Sequence, residues 1–239
     1  MIRYKCLEPL LRIKQYDRAA ELAEKYEDFD ILIKICEALD NQEQLKHYSQ
    51  RFAEKGFAEY LFEWYLKEGK QGKMLSSSTT ANNQKLDAFL SNHDSLKWLH
   101  QLHSHRYKEA SSTLKKLGLF EENCVARRKT MLSIGKLALI ASGDTNYSDF
   151  DDQLCFLQYQ SDLSDSLLQK NGLDRKTMSV FPPKQLVDIL ISGVEGPNEE
   201  LKNFQKALEI AEIVERRYSI DLHRQILFKI WQKAFEKDE

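Results

Sequence analysis

Residues 28–69 read DFDILIKICEALDNQEQLKHYSQRFAEKGFAEYLFEWYLKEG, and the spacing of their apolar side chains decides the fold. Phe29, Leu32, Ile33, Cys36 and Leu39 recur at intervals of three and four, the period of an amphipathic helix with those residues turned inward. Asp28 stands where its carboxylate can accept from the free amides of the first turn, and the helix ends near Asp40. Asn41 with Gln44 repeats the start signal as a capping box, and Leu45, Tyr48, Phe52 and Ala53 then share one face. Gly56 stops this second helix, since a residue without Cβ enters the left-handed region cheaply. Phe57 to Glu68 is the next helix and Gly69 its stop. No strand alternation interrupts the series.

Working outward, Leu7, Leu10 and Leu11, then Ala19, Ala20, Leu22, Ala23 and Tyr26 keep the same period, with Pro9 in a first turn or at a bend. Beyond Gly69, residues Lys70 to Asn83 are rich in serine, threonine and asparagine and are expected to form an exposed, mobile loop. Its GKQGK followed by hydroxyl residues uses the vocabulary of a phosphate-binding loop. That loop requires glycine five positions before Gly72, where Lys67 stands, and a hydroxyl after Lys73, where Met74 stands. The pattern therefore excludes a Walker-type nucleotide site and leaves Gly72 and Lys73 on a solvated turn.

Helical spacing resumes at Leu86–Leu90, Leu96–Leu102, Tyr107–Leu117 and about Glu122–Ser142, which Gly143 closes. After a second loop, Gly143 to Asp149, it continues through Phe150–Tyr159 and Leu163–Lys170. An irregular link from Gly172 to Pro183 leads to Pro183–Ile191, Glu199–Arg217 and Ile220–Phe235. The fold class is all-α, an irregular α-solenoid or helical stack of amphipathic helix pairs, without a fixed tetratricopeptide period. Residues 1–142 are expected to form a helical stack that includes a candidate partner-binding helix, 122–142. Residues 143–239 are expected to continue it, incomplete at the C-terminus.

Composition narrows the function classes. The chain has 239 residues, 42% of them hydrophobic, enough for a substantial core. Its 35 basic and 37 acidic residues leave a formal charge of −2, so no global field draws nucleic acid or anionic lipid. No apolar run approaches the roughly 20 residues of a membrane span, and the first residues do not open a signal peptide. The expectation is a soluble intracellular segment with no direct nucleic-acid or membrane contact. Cys6, Cys36, Cys124 and Cys155 form no C-x-x-C pair and read as buried free thiols. His93, His100, His103 and His105 cluster, but they lack the additional ligands at defined spacing that zinc needs. No catalytic signature occurs, so the reading assigns no catalytic residue, no cofactor and no metal, and the protein is not an enzyme.

The helix CVARRKTMLSIGKLALIAS, Cys124 to Ser142, stands out. Met131, Ile134, Leu137, Ala138 and Ala141 fall on one side, while Leu132, Gly135 and Leu139 extend the apolar surface to another. The apolar sector covers about 220°, against the roughly 100° of an ordinary surface helix. Two readings stand. The helix is either sandwiched inside its own domain, or packs by one side and receives a partner helix on the other, with Gly135 and Ala138 permitting close approach. In the second reading Lys136 and Arg127 to Lys129 are rim charges.

The segments AAELAEKYEDFDILIKICEALDNQEQL (Ala19–Leu45), FAEYLFEWYLKEGKQGKMLS (Phe57–Ser76), LSNHDSLKWLHQL (Leu90–Leu102) and RRKTMLSIGKLALIAS (Arg127–Ser142) resemble the C-terminal helical region of the nucleoporin 133 family. These are scaffold proteins at the stalk end of the Y-shaped nuclear pore subassembly. The resemblance is most specific over residues 16–142 and weakens to short matches such as KALEI (Lys206–Ile210). It implies a piece of a longer protein that also has an N-terminal β-propeller, located at the nuclear pore complex of the nuclear envelope. It further implies a structural scaffold that binds nucleoporin 107 end to end, among other Y-complex scaffold nucleoporins, supporting pore assembly, mRNA export and nucleocytoplasmic transport. By this resemblance the contact falls on Ile134 and Lys136, with Arg127, Thr130, Leu137 and Ala141 in support. The alternative is a helical adaptor or tethering module of a coat-like vesicle complex.

Overall fold

The computed structural model describes residues 8–76, 80–175, 177–192 and 197–236. Among them every regular element is a helix, and the chain divides into two compact units, Met1–His100 and Gln101–Glu239. The fold is all-α, a stack in which successive amphipathic helices pack on their neighbours.

The first unit contains α1 (8–12), α2 (Tyr16–Tyr26), α3 (Phe29–Ala38), α4 (Gln42–Arg51), a 3-10 turn (Ala53–Lys55), α5 (Phe57–Lys67), α6 (Gln71–Ser76) and α7 (Thr80–Leu90). The next helix, α8 (Asp94–His103), carries the division between the units. Both start signals cap their helices: Asp28 Oδ1 accepts from Ile31 N at 3.3 Å and Asn41 Oδ1 from Gln44 N at 3.0 Å, although the reciprocal half of the capping box is replaced by a bond from Asn41 N to Cys36 O at 2.9 Å. Gly56 sits at φ 76° between two helical segments. Four other turns place Lys14, Glu27, Asp40 and His105 in the left-handed region, so glycine does not mark them.

Helix α3 is the centre of this unit and packs on α2, α4 and α5. Its consecutive Ile31, Leu32 and Ile33 are all fully buried, as a helix surrounded by neighbours requires. Phe29 meets the Phe57 ring edge-on at 5.1 Å between centroids, and Phe52 lies 5.6 Å from Phe29. Burial pushes the Cys36 thiol up to about 11, an inert structural thiol. Cys124 and Cys155 are only half-buried, and Cys6 lies outside the described residues. Leu39, expected to face inward, is exposed because α3 has ended by then and the chain is turning at Asp40.

The expected mobile loop after Gly69 is different in the structure. Residues Gln71–Ser76 form α6, whose Met74 is fully buried, and α7 begins at Thr80; residues 77–79 lie outside the described set. Gly72 and Lys73 are therefore helical. The anchor is Glu37 on α3, whose carboxylate is nearly buried: Lys70 donates to it at 2.7 Å, Lys73 at 3.1 Å and the Tyr65 hydroxyl at 3.2 Å. The lysines of the apparent phosphate loop bind an internal carboxylate.

The second unit contains α9 (Tyr107–Phe120), α10 (Val125–Ala141), α11 (Ser148–Ser161), α12 (Asp165–Lys170), α13 (Pro183–Ile191), α14 (Pro197–Arg217) and α15 (Ile220–Phe235). Gly143 is the turn between α10 and α11 inside this unit. Pro183 opens α13, and the hydroxyls of Ser164 and Ser219 cap α12 and α15. Helices α13, α14 and α15 pack on one another around Val187, Leu190, Ile210, Val214 and Ile226. Buried Asp152 on α11 accepts from Arg216 at 3.2 Å and Arg217 at 2.6 Å, tying α11 to the end of α14.

Two substitutions test these packings. A methyl added at Gly135 would lie 2.9 Å from the Phe150 ring and 3.3 Å from Leu114 Cβ, whereas one at Gly72 meets nothing within 4 Å. Gly135→Ala is expected to destabilise by about 1–3 kcal/mol despite alanine's better helix propensity, and Gly72→Ala to stabilise by about 0.5–1 kcal/mol. Urea unfolding of both variants measures this.

Burial opposes ionisation of Glu37, but the hydrogen bonds and charges of Lys70 and Lys73 outweigh it and hold the carboxyl below its ordinary 4.5. A carboxyl depressed by folding contributes in full above that ordinary value and fades as pH falls through the folded one. Glu37→Gln should therefore cost about 1–2 kcal/mol at pH 7, with the gap to the unsubstituted chain closing as pH drops below 4.5. Denaturant midpoints measured from pH 7 to pH 3 would show it.

Candidate partner-binding helix face

Helix α10 runs Val125–Ala141 and packs most closely along α9, with α11 on its other flank. Close approach depends on glycine at two levels. Gly118 of α9 lies under Leu132, where a Cβ would come within 2.9 Å of its side chain, and Gly135 of α10 fits against Phe150 of α11 and Leu114 of α9. Leu132, Gly135 and Ala138 are buried by these neighbours. Gly135 and Ala138, read as candidates for admitting a partner, are thus used within the unit.

Polar bridges fix the α11 flank. Arg128 donates to Gln153 at 3.0 Å and Lys129 to Gln158 at 2.6 Å, while Lys136 pairs with Asp151 and lies 4.8 Å from the Tyr147 ring centroid. At 100° per residue Lys136 stands about 160° round the helix from Ile134. Its charge is engaged within the unit, away from the open side.

The other five candidates do come together. Arg127, Thr130, Ile134, Leu137 and Ala141 follow the 3, 4, 3, 4 spacing and fall within about 80° of one another. Leu137 is 65% exposed; Arg127, Thr130 and Ala141 are also exposed, and Ile134 is half-buried at the stripe's edge. Thr130 returns its hydroxyl to Ala126 O at 2.9 Å, a bond within the helix that leaves its methyl available. Arg127 pairs with Glu121 at 3.1 Å. Desolvation opposes ionisation of Glu121, yet the amides of Asn123 and Cys124 and the guanidinium of Arg127 hold its carboxyl below the ordinary value. Two flanks of this helix are thus internal and one is open to solvent.

A family model described as the non-repetitive/WGA-negative nucleoporin C-terminal matches residues 2–225. The chain belongs to this nucleoporin family. It is 37% identical over 238 residues to the nuclear pore complex protein Nup133 of Homo sapiens, covering 97% of this chain and 20% of the human protein. Similarity to the Nup133 of Danio rerio is 37% over 243 residues, covering 99% of this chain and 21% of the relative. The Drosophila melanogaster Nup133 is 29% identical over 240 residues, with 99% and 19% covered. The chain spans about a fifth of the length of these relatives.

Sequence reasoning on this nucleoporin missed two apolar features. Phe120, at the end of α9, is 77% exposed beside the Glu121–Arg127 pair, and Phe228, Trp231 and Phe235 form an exposed stripe on α15. Periodicity identifies an apolar face but not whether a neighbour covers it. The histidines show no ligand arrangement: His100 is buried, 3.1 Å from Asp87, His93 stacks on Phe89, and His105 bonds Tyr107. Among the described residues no group of three metal-ligating side chains occurs, and no helix is long and apolar enough to cross a membrane.

The Lys136–Asp151 pair is partly exposed and worth about 0.2–1 kcal/mol at most. A double-mutant cycle with Lys136→Met and Asp151→Asn should return a coupling of that size, weakening in high salt.

Proposed function

We propose that this chain is a scaffold segment of the nuclear pore complex at the nuclear envelope, and that its work is binding. Its partner is the neighbouring Y-complex scaffold protein nucleoporin 107, met end to end through the open face of α10. Through that joint the segment supports pore assembly and, with it, mRNA export and nucleocytoplasmic transport. Membership of the nucleoporin family and the names of the relatives support the scaffold role.

The observation that carries the partner reading is the stripe itself. Ile134 and Leu137 lie exposed or half-exposed on a helix whose other flanks are fixed by its own unit, so the surface is rigid before a partner arrives. Preformed surfaces lose less entropy on association. Arg127 and Thr130 extend the stripe at one end and Ala141 at the other. Lys136 acts indirectly, by holding α10 against α11. A helix laid along this face and its surroundings would bury about 1,200–2,000 Å² in total.

Calorimetry with the C-terminal helical domain of nucleoporin 107 tests the assignment. Leu137→Glu should weaken binding by about thirtyfold or more, as for a central hot spot, with helical content and melting unchanged. Ile134→Glu should also abolish binding, and Lys136→Met should change affinity by less than about threefold. Unaltered binding by Leu137→Glu would overturn the assignment, and unfolding of Ile134→Glu would make Ile134 a core residue.

A further inference from the structure

Beside the start of α10, on the side away from the exposed stripe, lies a cleft of about 500 Å³. Arg128, which lines it, stands about 160° round the helix from Thr130. The remaining walls come from Glu122 and Asn123, from α11, from the segment 179–182 with Pro183 at the start of α13, and from Tyr218. The walls are fixed in place. Buried Gln160 donates to Ser179 O at 2.5 Å and accepts from Phe181 N at 3.0 Å, and Val180 N donates to Glu122 O at 2.8 Å.

Among the described residues, the charge in this wall has no ion-pair partner in contact with it. Arg128 is half-buried, its Nη2 bonds the neutral amide of Gln153, and its Nε is buried with no hydrogen-bond partner. Among the described residues no carboxylate lies within ion-pair distance of it; Glu122, exposed at the rim, attracts it only from further away. Burial accordingly pulls the guanidinium below its ordinary pKa. A desolvated guanidinium without a counter-charge is costly, and a buried donor left unmade calls for a reason. Its terminal nitrogens, unlike the sealed Nε, can meet a carboxylate from the cleft, and Phe156, Phe181 and Pro183 offer apolar surface for an aliphatic stem. The cleft's volume falls within the range of small-ligand sites.

We propose that this cleft binds a carboxylate on a short aliphatic stem, from a glutamate side chain or the free C-terminus of a peptide, with Arg128 as its counter-charge. The proposal is independent of the α10 stripe and of any partner named for it. Three peptides test it by amide-resolved NMR titration of the 239-residue chain: acetyl-Gly-Glu-Gly-amide, acetyl-Gly-Gln-Gly with a free terminal carboxylate, and neutral acetyl-Gly-Gln-Gly-amide. Saturable shifts at Val180, Phe181 and Gln153 with either acid, absent with the amide, are expected, and which acid saturates identifies the source. Arg128→Gln should weaken binding by about tenfold or more, while Glu122→Gln, which removes the competing rim charge, should strengthen it. Shifts that fail to saturate, that the neutral peptide reproduces, or that persist in Arg128→Gln would overturn the proposal. So would equal affinity in the Glu122→Gln chain, whose backbone contact to Val180 is untouched.

Discussion

The second unit depends on a steric constraint: α10 approaches α9 and α11 so closely that a Cβ at Gly135 or Gly118 would force a neighbouring side chain to shift. Interiors are packed to crystal-like density, so the fit of Leu132, Leu114 and Phe150 over those two glycines sets where α10 lies and which way it is rolled. The roll is what sorts its side chains. Leu132 and Ala138 go inward, Arg128, Lys129 and Lys136 reach toward α11, and Leu137 is left outside. Rotating the helix by one residue would bury a lysine and expose the glycine.

The first unit follows a different constraint. Its centre, α3, is apolar nearly all round, but one edge carries Glu37, and a nearly buried carboxylate persists only where donors surround it. Lys70, Lys73 and Tyr65 supply those donors. They come from α5, from the turn after it and from α6, so satisfying one charge also fixes the path of the chain beyond Gly69.

That pairing explains what the sequence could and could not disclose. The helices of residues 28–69, with the caps at Asp28 and Asn41, were legible because each signal is local: a side-chain oxygen three residues before the amide it meets, and apolar groups a helical turn apart. The helical nature of Gln71–Ser76 was not, because Met74 is its one fully buried side chain and the partner of Lys73 lies 36 residues back. Turns through Glu27, Asp40 and His105 carry no glycine, so their left-handed backbone was not legible, although the helix end near Asp40 was. For α10, the breadth of the apolar sector was legible but its division was not. The same periodicity describes a face covered by α9 and a face open to solvent, and Lys136 reads as a rim charge until Asp151 is placed beside it.

The anchoring of α10 has a mechanical consequence. A surface presented on a loop yields under load, whereas a push or pull on Leu137 enters a helix seated against two others along its length. From α11 the force passes through Asp152 to Arg216 and Arg217, and so into α14. Load therefore spreads through α10, α11 and α14 before any single hydrogen bond must bear it. In an assembly built from chains joined in series, such a face acts as a stiff coupling, and bending would concentrate elsewhere along the series.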